Sequence, residues 1–192
     1  MCATFQLADD DVEEIHRITR DIDAKYGEGT AQARISHDFF PKQEIPVVGP
    51  GNKVALLRWG FPMGNSKQVV FNARAESLRD KPMFRSRLQN RCLIPATRFY
   101  EFGGDKTKYK VTFKSMPFFY MAGLWTRETT AEGGKHVYAT IITTAPNGDI
   151  GKVHNRMPVV FAGADALQWL GGGMESLDLL RTCEALTVLK AV

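Results

Sequence analysis

Residues 98–114 read Arg98-Phe99-Tyr100-Glu101-Phe102-Gly103-Gly104-Asp105-Lys106-Thr107-Lys108-Tyr109-Lys110-Val111-Thr112-Phe113-Lys114, and the fold class turns on them. From Lys108 to Lys114 polar and apolar residues alternate, with Tyr109, Val111 and Phe113 on one side. A period of two belongs to a strand, whose successive side chains point to opposite faces. Gly103-Gly104-Asp105 has the backbone freedom of a tight turn, and the aromatic run Arg98–Phe102 precedes it. Two strands joined this way pair antiparallel.

The same signals extend outward. Lys53–Trp59, Gln68–Asn72, Arg91–Ile94, Phe118–Trp125, His136–Thr144 and Met157–Phe161 are runs of β-branched, aromatic and aliphatic residues of strand length. Helices are fewer. Asp9–Tyr26 places Val12, Ile15, Ile18, Ile22 and Tyr26 at spacings of three and four, with aspartates at its start and Gly27 and Gly29 after its end. Shorter helices are expected at Ser77–Gln89, interrupted near Pro82, at Ala164–Leu170 and at Glu175–Glu184, while 27–51 reads as extended loop with short strand pieces. No repeat, linker or low-complexity tract divides the chain. The expectation is an α+β fold, a single domain over residues 1–192 on a mainly antiparallel, barrel-like β-sheet with short peripheral helices.

The 192 residues are 44% hydrophobic and 24% charged, the composition of a globular protein, and the net charge of +4 permits a polyanionic partner without requiring one. Cys2, Cys92 and Cys183 are odd in number and lack metal-ligand spacing, which argues against a disulfide framework or a zinc site and for a reducing compartment. No metal or other cofactor is called for. No secretory signal and no apolar run of membrane-spanning length is visible, so a cytoplasmic monomer with no membrane partner is expected.

Candidate chemistry begins at Cys2. A small residue after the initiator methionine favours removal of Met1, which would leave an α-amine beside a thiol. That pair adds to an aldehyde as an imine and then closes a five-membered thiazolidine. The two groups titrate near ~8 and ~8.5, so both nucleophiles are available at neutral pH. Asn72 and Arg74 stand two apart at a strand end, where an amide can orient an amine and a guanidinium can hold a phosphate. Glu101 lies between aromatics, the setting of a carboxyl with raised pKa suited to general acid–base work. His154 and Arg156 precede a strand and offer proton transfer and a second phosphate contact. Trp59-Gly60-Phe61-Pro62 offers rings on which an unstacked base could lie. Cys92 and Cys183 read as inert buried thiols, Cys183 in a C-terminal helix.

In order along the chain these become specific: Cys2; Trp59-Gly60-Phe61; Asn72-Ala73-Arg74-Ala75-Glu76; Arg91-Cys92-Leu93-Ile94-Pro95; Tyr100-Glu101; Ala122-Gly123-Leu124-Trp125; Thr143-Thr144-Ala145; His154-Asn155-Arg156-Met157-Pro158. The succession resembles the SOS-response-associated peptidase (SRAP) family of abasic-site shields, over residues 2 to about 170. The resemblance implies a cleft for single-stranded DNA containing abasic sites. There the N-terminal cysteine bonds to the ring-opened sugar as a thiazolidine. By the same resemblance Cys2 is the nucleophile, Asn72 positions its amine, Glu101 moves protons during imine formation and methionine release, and His154 assists sugar opening and adduct reversal. Arg74 and Arg156 would grip phosphates, with Trp59 and Phe61 against the neighbouring base. The chain departs from the family pattern at Thr4, where Arg is usual, at Asp38 in the segment His37-Asp38-Phe39-Phe40-Pro41, and at Phe102, where Trp is frequent. Two other readings of the same residues are a cysteine-dependent peptidase acting on other peptides and a non-covalent reader of single-stranded or modified DNA.

Overall fold

The computed structural model describes residues 2–8, 12–35, 38–64, 66–129 and 134–190. Along the chain run β1 (Thr4–Gln6), α1 (Glu13–Tyr26), α2 (Thr30–Ile35), β2 (Asp38–Phe39), β3 (Glu44–Gly49), β4 (Lys53–Trp59), β5 (Phe61–Met63), β6 (Ser66–Val70) and β7 (Asn72–Arg74). There follow α3 (Pro82–Arg85), β8 (Arg91–Ala96), β9 (Arg98–Phe102), β10 (Lys108–Phe113), β11 (Phe119–Thr129) and β12 (Lys135–Thr144). The last elements are β13 (Met157–Pro158), β14 (Val160–Phe161), α4 (Ala164–Gly171) and β15 (Leu186–Lys190).

Five strands close into a barrel in the order β12-β4-β3-β8-β11, sealed by pairing of β11 with β12. All its pairings are antiparallel except the short parallel contact of β4 with β12, at Arg58↔Tyr138 and Ala139↔Trp59. Closure is tight between β11 and its neighbours and loose between β4 and β12, which pair at two positions. β7, β13 and β14 are appended to it. A second sheet runs β15-β10-β9-β1-β2, so β1 lies between two partners rather than at an edge. The β9–β10 hairpin turns through Gly103–Lys106, with Lys106 in the left-handed region at φ 66°.

β4 and β9 begin and end where their hydrophobic runs do, and α1 buries Ile15, Ile18 and Ile22. Asp9, Asp10 and Asp11, expected to open that helix, lie outside the described residues. Tyr26 is not on the buried stripe: it is half exposed, and its hydroxyl accepts the Leu56 N–H at 3.0 Å. Other expectations are corrected. Pro82 starts α3 instead of interrupting a longer helix, because its fixed φ and missing N–H suit a first helical position. The strand expected at Gln68–Asn72 breaks at Phe71, where β6 leaves its hairpin with β5 and β7 joins β12. Glu175–Glu184 is not a helix: a 3-10 turn over Met174–Leu179 ends there. Asn147 Nδ2 then donates to the carbonyls of Cys183 and Leu186, both at 3.0 Å, holding the chain extended into β15. Cys183 therefore lies outside any helix and is only partly buried.

Arg91 is the largest buried charge. Its guanidinium donates to the carbonyls of Leu88, Trp169, Gly172 and Gly173 and to Ser176, and lies 4.6 Å from the Trp169 ring centre. It staples the C-terminal segment to β8, a structural use that needs every donor satisfied.

Candidate active site

The residues singled out from the sequence meet at the crease between the two sheets. Cys2 precedes β1 and is fully buried; Glu101, on the adjacent strand β9, is also buried. Asn72 opens β7, on the barrel side, and its Nδ2 donates to the Cys2 carbonyl at 2.8 Å. That bond ties the second sheet's first strand to the barrel. Asn72 Oδ1 is buried and has no hydrogen-bond partner among the described residues. His154 comes from the loop between β12 and β13, its Nδ1 4.0 Å from Glu101 Oε2. The same Nδ1 lies 3.0 Å from the Arg156 amide and 3.1 Å from the Arg156 carbonyl. Unprotonated it accepts the amide N–H; protonated it can donate to the carbonyl or the carboxylate.

Burial raises the Cys2 thiol pKa, and the Glu101 charge raises it further. The thiol donates weakly to the Thr4 carbonyl at 3.8 Å. Burial likewise raises Glu101, opposed by positive charge nearby that includes His154. An acid and a thiol that both resist ionisation, with an imidazole at the mouth, can pass a proton without holding standing charge in the crease.

The arginines differ. Arg74 is exposed. Arg156 donates through both terminal nitrogens to Glu76, at 2.6 and 2.9 Å, and to the Thr143 carbonyl at 2.7 Å. Arg156 is therefore not an open phosphate contact as expected: Glu76, two residues after Arg74, holds it. An acid two residues after an arginine gives no sign of pairing with a second arginine eighty positions on.

Trp59 and Phe61 are not available to a base. Both are buried, because Gly60, at φ 116°, turns the chain so that neither ring faces outward. A Cβ at Gly60 would stand 2.5 Å from Val69 Cγ2. Trp59 packs on Phe5 and Phe71 and donates its indole N–H to the Phe71 carbonyl at 2.9 Å. It thus braces the segments that carry Cys2 and Asn72. Phe61 packs against Phe84 and beneath Arg87. The exposed ring beside Glu101 is Phe102, 53% exposed, on the opposite face of β9. Thr4 is buried opposite Tyr100, and Asp38 pairs with Lys108 at 3.5 Å. Lys108 also sits 3.8 Å above the Tyr100 ring. Met1 and His37 lie outside the described residues.

The sequence profile of the SOS response associated peptidase (SRAP) family matches residues 1–191, and the chain belongs to that family. Abasic site processing protein YoaM of Bacillus subtilis is 35% identical over 95% of this chain and 84% of its own length. Abasic site processing protein HMCES of Gallus gallus is 27% identical over 67% of this chain and 49% of its own. A crystal structure of a protein from Bacteroides thetaiotaomicron superposes with a TM-score of 0.83, covering 98% of this chain and 91% of that one; at 21% identity the likeness is one of fold. Among the described residues no helix is long and apolar enough to cross a membrane.

Proposed function

We propose that this protein processes abasic sites in single-stranded DNA by bonding Cys2 covalently to the opened sugar. The observation that carries the reading is the convergence of Cys2, Asn72, Glu101 and His154 at one crease, with Asn72 on the Cys2 carbonyl at 2.8 Å and His154 at 4.0 Å from Glu101. The names of the relatives point the same way.

The chemistry first requires water to hydrolyse the Met1–Cys2 amide, freeing methionine and the Cys2 amine. The amine nitrogen then attacks the sugar aldehyde carbon. Glu101 takes a proton from nitrogen and returns one to the departing hydroxyl, so one water leaves and an imine remains. The thiol sulfur adds to the imine carbon, its proton passing to nitrogen, and the thiazolidine closes. Asn72 Oδ1 accepts from the amine and fixes its approach; His154 supplies the proton exchange that opens the sugar and reverses the adduct. Arg74 meets a flanking phosphate directly, and Arg156 meets one by sharing or releasing Glu76. The protein acts as a monomer, as one domain, in the cytoplasm.

A peptidase acting on other chains fits less well. Such a nucleophile works as a thiolate at neutral pH, whereas burial and Glu101 push the Cys2 thiol up. The test is intact mass spectrometry after mixing with an oligonucleotide bearing one abasic site. The expected species is the chain without Met1, plus the oligonucleotide, less one water. An adduct on a chain that retains Met1, or one that persists in Cys2→Ala, overturns the reading. Reversible binding with no adduct favours the non-covalent reader.

A further inference from the structure

A second concavity lies in a seam of the barrel. β4 and β12 pair only near Arg58 and Trp59. Nearer Lys53, the Leu56 N–H goes to the Tyr26 hydroxyl, so the last turn of α1 fills one side of the seam. The remaining groove, about 410 Å³, is walled by Val47, Ala55, Leu57, Cys92, Trp125 and Val137. Three cations stand around it, Lys25 from α1, Lys53 from β4 and Arg127 from β11, and among the described residues no carboxylate lines it. Lys25 donates to the Val54 carbonyl at 3.2 Å and lies over the Tyr26 ring. Among the described residues Lys53 and Arg127 form no ion pair, whereas Arg17, Arg87 and Arg156 are each paired with carboxylates. Burial pushes the Cys92 thiol up, so it serves here as neutral wall.

We infer that this groove docks an acidic peptide segment of a partner protein, which inserts an apolar or aromatic side chain between the three cations. The walls are mainly apolar, with the Tyr26 hydroxyl and the Trp125 indole as their neutral polar groups. A nucleobase placed there would bury its polar edge unsatisfied, a penalty that an aliphatic or phenyl group avoids. Cations on three separate elements suit several negative charges spread along a chain better than the single head of a fatty acid. The volume is at the low end of small-ligand pockets (about 300–1,000 Å³), room for one or two side chains and not for a folded element. Val137 and Thr143, whose carbonyl holds Arg156, are separated along β12 by about 20 Å at ~3.3 Å per residue. Asn72, which holds the Cys2 carbonyl, pairs with Ile141, about 13 Å from Val137 at ~3.3 Å per residue, so an occupant of the groove need not touch the crease.

The probe is a fluorescein-labelled hexapeptide of four aspartates followed by Leu and Phe, titrated with the full chain and read by anisotropy. Saturable binding is expected, lost when Ser replaces both Leu and Phe, and weakened roughly tenfold by Lys53→Glu with Arg127→Glu, as when attractive charges at an interface are reversed. The pair Lys53→Arg with Arg127→Lys should bind like the parent, and circular-dichroism melts establish that every variant is folded. No saturable binding by the parent overturns the proposal, as does equal binding by the charge-reversed protein. If labelled undamaged single-stranded DNA or dodecanoate binds and is lost in that variant while the peptide does not bind, the groove belongs to those ligands instead. Cross-linking to abasic DNA should stay at the parent rate in the charge-reversed protein; its loss there overturns the separation of the two sites.

Discussion

Cys2 and Cys92 make a controlled comparison within one molecule. Both are wholly buried, burial pushes both thiols up, and the backbone carbonyl of each accepts a side-chain N–H. At Cys92 the donor is the Trp169 indole, at 3.0 Å, and burial alone accounts for its shift. At Cys2 the donor is Asn72, which keeps a second polar atom in reserve, and Glu101 adds its charge. The two thiols are alike in what hides them and unlike in what surrounds them. A buried cysteine becomes a candidate nucleophile through proton-handling neighbours, and among the described residues burial alone shifts Cys92.

The comparison breaks most sharply if the two cysteines are exchanged for alanine. Cys2→Ala should form no denaturant-resistant adduct with abasic DNA. Cys92→Ala should form it at the parent rate while losing roughly 1 kcal/mol of stability to the small cavity left behind. Single-turnover cross-linking with a parallel melt reads both. An adduct surviving in Cys2→Ala would move the chemistry elsewhere.

Next in size is Glu101→Gln. If the carboxyl moves protons, adduct formation should slow by ~10²–10⁴ in a folded protein. The substitution also changes stability with a definite sign. Burial raises Glu101 in the folded state, so its contribution is fully present below the unfolded carboxyl pKa and is lost as pH rises through the folded value. Melts from acid toward neutral pH should show the Gln variant gaining on the parent. A constant difference across that range would show that Glu101 ionises as easily folded as unfolded.

Smaller effects sharpen the two carbonyl bonds. Asn72→Ala and Trp169→Phe each remove one such bond, worth about 0.5–1.5 kcal/mol, although the smaller side chain at position 72 also loses some packing. Only Asn72→Ala should slow the adduct beyond what its melt explains; equal rate losses in both variants would reduce Asn72 to scaffolding. The least effect belongs to the rim. Glu76→Gln frees Arg156 and should tighten DNA binding a few-fold, and Arg74→Ala should make the salt dependence of binding shallower by about 0.7 in log–log slope. An unchanged affinity in Glu76→Gln would mean that no phosphate competes for Arg156.

The strands were legible because β4 and β9 are bounded by abrupt changes in composition, and the helical face of α1 because its isoleucines repeat at helical spacing. What could not be read was which strand meets which. The parallel contact of β4 with β12 joins residues about eighty positions apart and leaves no local mark. The residues of the crease were legible one by one through their unusual chemistry. Their company was not, since Glu76 reaches Arg156 only through the fold. Trp59 and Phe61 misled because an aromatic-glycine-aromatic triplet looks like a loop, and nothing local shows that Gly60 folds both rings inward. Arg91, buried by carbonyls supplied from beyond residue 168, was invisible for the same reason.

The internal place of β1 in its sheet has a kinetic side. Residues 4–6 must wait for Arg98–Phe102 before they acquire their β9 neighbour. At a synthesis rate of about 5–20 residues per second, that interval is roughly 5–20 s on the ribosome. Through it the residues around Cys2 remain open to solvent and to any processing enzyme. Pairing with β9 then closes the sheet over them and carries the thiol to Glu101, and only β10 and the β15 edge of that sheet are left to be added later.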